Sequence, residues 1–189
     1  MMLDFDAIVV GGGHAGIEAA LSLARRGWKT LMVTQNLDTI GKMSCNPAIG
    51  GQAKGNIVRE IDALGGEMAR LIDATLIQFR MLNKRKGPAV QSPRAQADKY
   101  AYQALAKQTL ERQSGLDLFM DTVTDFLVEP VAGSDRTRLC GVLTERGRRF
   151  TCRVVVLTTG TFLNGKIFIG EYQTSSGRLG EPAALGLDL

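Results

Sequence analysis

The chain has 189 residues, 44% hydrophobic and 22% charged, the size and balance of one domain that buries a core without disulfides or metal, which excludes a disordered or fibrous chain. A net charge of +4 and a pI near 9.1 permit a polyanionic partner without requiring one. Three cysteines (Cys45, Cys140, Cys152) at unpatterned spacings signal neither a disulfide framework nor a zinc site, so no metal is expected and the cytoplasm is the expected compartment.

The start, MMLDFDAIVVGGG, carries acidic residues, lacks a basic stretch and reaches glycine after four apolar residues, so neither a signal peptide nor a membrane span is expected. DAIVVGGG predicts a short β-branched strand ending in glycine. HAGIEAALSLARRG follows with Ile17, Ala20, Leu21 and Ala24 at helical spacing, closed by Gly27. WKTLMVT is a second strand, completing a βαβ unit. Within it Gly11, Gly13 and Gly16 stand as G-x-G-x-x-G directly after a strand and opening a helix. In that setting the first glycine permits the tight turn, the second lets a pyrophosphate approach the backbone, and the third lets helix and strand pack closely. His14, the only histidine, sits in this turn and reads as structural. The second strand ends Thr34-Gln35-Asn36 where a dinucleotide fold usually presents a carboxylate to the ribose. Gln35 or Asn36 could hydrogen-bond a ribose, and Asp38 is a more distant substitute.

MSCNPAIGGQAKG, residues 43–55, puts Cys45 beside Gly50, Gly51 and Gly55 with Lys54 near the end. Helices are expected after it. RMLNKRKGPAVQSPR places Arg80, Lys84, Arg85, Lys86 and Arg94 within fifteen residues, with Gly87, Pro88 and Pro93 excluding a continuous helix, so a basic loop is expected that is either solvated or binds phosphate of a cofactor or an RNA. LDLFMDTVTDFLVEP, RLCGVLTERG and RRFTCRVVVLTTGTF read as strands joined by turns at Gly133–Asp135 and Arg146–Gly147, an antiparallel meander whose last member, VVVLTTG, is a buried run returning to the parallel sheet. The fold class is therefore α/β, a Rossmann-type FAD-binding domain of the glutathione-reductase kind with parallel sheet, helices and meander, and flavin is favoured over nicotinamide.

GGGHAGIEAA, MSCNPAIGG, REIDALGGEM, IQFRMLN, KGPAV, RAQADK and GTFLNGKI occur in an order that resembles the MnmG (GidA) family. That resemblance implies an FAD-dependent tRNA modification, the addition of a carboxymethylaminomethyl or aminomethyl group at C5 of a wobble uridine. It implies NADH as reductant, methylenetetrahydrofolate as one-carbon donor, an MnmE-type GTPase as partner, and a homodimer in the full-length form. The family's pyrophosphate motif falls on Gly11, Gly12, Gly13, His14, Ala15 and Gly16, and a further flavin contact on Val123, in the strand before the meander. A third falls near Ala184, where relatives often carry serine. Thr159 and Gly160, ending the return strand, are further expected contacts. Gly50 and Gly51 are expected to leave N–H groups facing the flavin, with Lys54 offsetting negative charge. Cys45 is then the candidate nucleophile, whose thiolate would add to C6 of the uracil, against the plainer reading of a small buried residue. Cys140 and Cys152 read as structural. The family is much longer, with an inserted NAD-related domain, a closing FAD segment and a helical C-terminal region, so residues 1–189 are expected to be the FAD-binding part only. Two other classes stay open: a non-catalytic FAD- or RNA-binding module, and a small flavin oxidoreductase unrelated to tRNA.

Overall fold

The computed structural model describes residues 4–43 and 46–187. Chain order is β1 (Ala7–Val10), α1 (His14–Arg25), β2 (Thr30–Thr34), β3 (Ala48–Gly50), α2 (Lys54–Ala63), α3 (Met68–Ala74), β4 (Leu76–Leu82), β5 (Ser92–Ala97), α4 (Lys99–Arg112), β6 (Leu116–Met120), β7 (Val123–Pro130), β8 (Thr137–Thr144), β9 (Arg149–Thr151), β10 (Val154–Leu157), β11 (Lys166–Ile169) and β12 (Tyr172–Ser175).

The central sheet is parallel throughout, in the order β10-β1-β2-β6. Every residue of β1 and β2 is buried, as expected of strands covered on both faces, and their alternation assigns each face a partner. Val9 and Met32 join Ile17, Leu21 and Ala24 of α1 and Tyr102, Ala106 and Leu110 of α4 in one core. Ile8, Val10, Leu31 and Val33 face the other way, into a second core with Val123, Val142, Cys152 and Leu187, so the meander β7-β8-β9 is the lid on the back of the sheet. Each fully buried aliphatic side chain here contributes roughly 1.5–3 kcal/mol. Asp98 caps α4, its Oδ1 accepting from the N–H groups of Tyr100 and Ala101 at 2.9 and 3.1 Å. Glu18 of α1 accepts from the N–H groups of Glu67 and Met68, fastening the start of α3 to α1.

Three expectations change. LDLFMDTVTDFLVEP is two strands in two sheets: β6 pairs in parallel with β2, the chain turns at Asp121-Thr122, and Val123 opens the first strand of the meander instead of preceding it. The region read as helices also holds a three-stranded antiparallel sheet, β3-β5-β4. Arg80 and Arg94 accordingly lie on paired strands, and the expected basic loop is the hairpin β4–β5, with an irregular tip and a register shift between Leu76 and Gln78. The proline that excluded a helix, Pro93, sits in β5, and Gly87 and Pro88 lie in the connection. β11 and β12 form a further hairpin. No helix among the described residues is long and apolar enough to cross a membrane.

Candidate functional site

A cavity of about 620 Å³ opens at the carboxyl ends of β1, β2 and β10 and is lined by the Gly11–Gly13 turn, Gln35 and Asn36, Val123, Thr159, Gly160 and Ala184, the crevice in which open α/β sheets take their ligands. The turn is built tightly. Gly11 has φ +111° and its N–H donates to Val33 O at 2.8 Å; a Cβ there would stand 2.5 Å from Thr158 O. A Cβ on Gly16 would stand 1.9 Å from Gly11 O. Thr158 ties the far strand to the turn, its Oγ1 donating to Val10 O at 2.9 Å. Gly13 differs from both: its φ of −76° and ψ of −177° suit any residue, and a Cβ would meet nothing within 4 Å. The fold demands glycine at 11 and 16 but makes no such demand at 13, which lines the cavity at the N-terminus of the twelve-residue α1.

Gln35 and Asn36 reach the cavity from the end of β2. Gln35 Nε2 donates to Ala183 O at 3.4 Å and Asn36 Oδ1 accepts from the Asp38 N–H at 2.7 Å. Asp38 is no substitute carboxylate at the cavity, because it turns to Lys107 of α4, 2.8 Å away on the surface. A carboxylate that does line the cavity is Glu181, which receives Lys42 and, at 3.3 Å, Arg178. Sequence reasoning missed this trio because Lys42 and Glu181 are separated by 139 positions and Arg178 and Glu181 lie beyond every strand it identified. Ala184 lines the cavity with its backbone engaged, donating to Phe162 O and accepting from the Asn164 N–H, each at 2.8 Å. Asp121 also lines it: burial raises its carboxyl, but hydrogen bonds from Thr144, Thr122 and Arg146 outweigh that and hold it below the ordinary carboxylate value.

Other expected site residues lie apart from this cavity. Ala15 and Gly16 belong to the first turn of α1. His14 turns its ring to Tyr102, centroids 5.6 Å apart. Its Nε2 is buried without a hydrogen-bond partner, and burial, with Lys54's charge adding, pushes its pKa down to about 4, so it is neutral at physiological pH. Gly51 does not offer a free N–H group to a ligand. Gly51 N–H donates to Pro93 O at 2.8 Å and Gly55 N–H to Gly51 O at 2.8 Å. Gly50, at φ +122°, passes so close to β5 that a Cβ would be 2.1 Å from Pro93 O. These glycines seat β3 against β5. Lys54 Nζ lies 3.5 Å from Ala48 O, and burial lowers its pKa. Cys45 lies outside the described residues. Cys152 is buried at the base of the meander, its thiol pushed up to about 11 by burial, and Cys140 is half-buried with Sγ 3.3 Å from Arg138 O.

A parallel sheet with a G-x-G-x-x-G turn at its cavity and an antiparallel meander on its back defines a Rossmann-type dinucleotide-binding domain of the α/β class. The family model described as glucose inhibited division protein A matches residues 6–188, and the chain belongs to that family. It is 70% identical over 186 residues to the tRNA uridine 5-carboxymethylaminomethyl modification enzyme MnmG of Borrelia garinii subsp. bavariensis, covering 98% of this chain and 29% of that protein. The enzyme of the same name from Treponema denticola is 58% identical over 187 residues, 97% of this chain and 30% of the relative. The form I crystal structure of Aquifex aeolicus GidA superposes with a TM-score of 0.90 at 57% identity, covering 97% of this chain and 30% of that one. The chain thus spans about three-tenths of the length of these relatives.

Proposed function

We propose that this chain is the FAD-holding part of an enzyme that adds a carboxymethylaminomethyl group at C5 of the wobble uridine of certain tRNAs, acting in the cytoplasm. The observation that carries the cofactor assignment is Gly13: a position with ordinary dihedrals and open space around its absent Cβ, at the mouth of a cavity lined by Gly11, Gly12 and the ends of three parallel strands. The residues present fit a dinucleotide. Gly13 lets phosphate oxygens reach the N–H groups opening α1, and the helix dipole favours their charge. Gln35 and Asn36 face the ribose, while Val123, Thr159, Gly160 and the backbone near Ala184 border the rest. Lys42 and Arg178 supply positive charge near the phosphates, with Glu181 holding both in place.

FAD, when bound, supplies the electron transfer between NADH and the one-carbon unit of methylenetetrahydrofolate. Cys45 is proposed as the nucleophile of the full-length reaction, its thiolate adding to C6 of the uracil so that C5 gains carbanion character. The substrate tRNA, the MnmE-type GTPase partner and the homodimer belong to the same proposal for the whole protein. The names of the relatives and the match of the family model support it.

The test has two arms. The purified chain is titrated with FAD and its visible flavin absorption followed, which checks the holding role. Nucleoside mass spectrometry of tRNA from cells whose only copy of the full-length enzyme carries this segment checks the reaction. Absence of flavin from the chain and from the full-length protein overturns the cofactor assignment; unmodified wobble uridine with flavin retained overturns the reaction alone.

A further inference from the structure

We propose that the cross-strand pair Arg80 and Arg94, flanked by Gln78 and Gln96, is a clamp for the phosphodiester backbone of the RNA substrate. The inference rests on the tRNA reading above and deepens it by naming the contact.

The register of β4 and β5 sets Arg80 directly opposite Arg94 and Gln78 directly opposite Gln96. Residues opposite each other in an antiparallel pair share a face with Cβ atoms about 5 Å apart, so one face of this hairpin presents two guanidinium groups side by side next to a pair of carboxamides. All four are exposed. Two like charges in direct opposition destabilise a pair of strands, and a protein ordinarily answers them with a carboxylate. Among the described residues no salt bridge includes either arginine. An anion bound from outside removes the repulsion, and adjacent guanidinium forks suit phosphate oxygens, which they meet in paired, planar hydrogen bonds.

The hairpin holds the pair rigidly. On its other face Ala95 and Ala97 of β5 and Ile49 of β3 belong to the core. Its tip is tied by its own side chains: Asn83 Nδ2 donates to Val90 O at 2.9 Å and Gln91 Nε2 to Lys86 O at 2.9 Å. Lys84, Arg85 and Lys86 at that tip are exposed and in no salt bridge among the described residues. The row runs about 7 Å along β4 from Arg80 to Leu82 at the rise of a strand and continues into the turn that bears Lys84, Arg85 and Lys86, an extended basic strip suited to successive phosphates of a polynucleotide.

The experiment measures binding of a fluorescently labelled, unmodified tRNA transcript to the chain by anisotropy across a salt series, with FAD titrated in parallel. Each phosphate contact contributes about 0.7–0.9 to the slope of log affinity against log salt. Arg80→Gln with Arg94→Gln is expected to reduce the slope by about 1.4–1.8 and to leave FAD affinity unchanged. Arg80→Lys with Arg94→Lys keeps the charge and is expected to keep the slope while weakening binding. Arg136→Ala with Arg149→Ala, an equal loss of charge on the meander, is expected to change neither. An unchanged slope in the double glutamine variant overturns the clamp. If the double glutamine variant keeps the parent slope and Lys84→Ala, Arg85→Ala and Lys86→Ala together remove it, RNA binds the tip and the clamp is wrong, though the tRNA reading stands. Weakened FAD binding with an unchanged RNA slope assigns the pair to cofactor phosphate and overturns it too. Failure of the parent chain to bind tRNA at any salt overturns the clamp and the RNA role of this chain together, while FAD binding in the same preparation keeps the cofactor assignment separate.

Discussion

Alanine at Gly13 and at Gly16 should separate what the fold requires from what the ligand requires. At Gly16 the new methyl would stand 1.9 Å from the carbonyl oxygen of Gly11, which is backbone and cannot swing aside, and 2.9 Å from Thr158 Oγ1. Overpacking of that kind costs about 1–3 kcal/mol or more, and the gain of up to about 1 kcal/mol from replacing a helical glycine by alanine offsets only part. A clash this close with backbone takes the upper end of that cost, a net loss of about 2 kcal/mol, and with roughly 2–4 °C of Tm per kcal/mol for a chain of this size Gly16→Ala should melt about 4–8 °C below the parent. At Gly13 the methyl meets nothing and the backbone is already in a region alanine prefers. The loss of an N-terminal helix cap preference and the lower entropy of the unfolded chain nearly cancel, leaving a change within about 1 kcal/mol. Yet Gly13→Ala should lower FAD affinity by tenfold or more, about 1.4 kcal/mol, because the methyl occupies the approach of the pyrophosphate. Differential scanning calorimetry without flavin and fluorescence titration with it measure the two quantities. A Gly13→Ala protein that melts as low as Gly16→Ala, or that binds FAD with the parent affinity, refutes the reasoning.

Gly50→Ala should be more damaging than either, since its methyl would sit 2.1 Å from Pro93 O at a φ of +122°; we expect a loss of about 3 kcal/mol or more, read by chemical denaturation. His14 has a folded-state pKa of about 4 against an ordinary 6.5, owing to burial and then to Lys54. The unfolded chain therefore binds the extra proton between those values, so His14's contribution is complete above pH 6.5 and is lost as the pH falls toward 4, by an amount on the order of 3 kcal/mol. His14→Gln should flatten the fall in Tm between pH 6.5 and 4; an identical pH profile in parent and variant would show that the ring is not kept neutral by its surroundings. In the full-length enzyme Cys45→Ser should leave flavin content and tRNA affinity near the parent values and reduce formation of the modified nucleoside by orders of magnitude, whereas Cys140→Ser should do little to it. Near-normal modification by Cys45→Ser would make this cysteine a packing residue.

The glycine cavity and the hairpin do different work on one scaffold. The cavity belongs to the carboxyl ends of the parallel strands, where each element ends at the same level and its last backbone groups point outward. The hairpin belongs to the antiparallel sheet β3-β5-β4, which the segment 46–97 builds between β2 and α4. Gly51 donates its N–H to Pro93 O and Gly50 passes close to the same oxygen, which fixes β3 against β5.

The amino-acid sequence by itself determined the βαβ start, the cofactor turn and the return strand, because those depend on neighbours in the chain. AIVV and TLMVT are apolar and β-branched throughout, as strands buried on both faces must be, and the helix between them shows its period in Ile17, Ala20, Leu21 and Ala24. Both turns of the meander were legible for the same reason, but its first segment hid the break at Asp121-Thr122 between two sheets. Only the tertiary structure decided that Arg80 and Arg94 face one another, since the residues of β4 alternate without a buried side and read as loop until β5 pairs with them. It alone revealed that Asp38 leaves the cavity for Lys107 and that Glu181 enters it beside Lys42, contacts closed across 69 and 139 positions. It also distinguished three glycines that look alike in the motif. Local sequence tells where a chain turns, but whether a missing Cβ makes room for Thr158, for Gly11 or for a ligand depends on atoms brought there from the other end of the sheet.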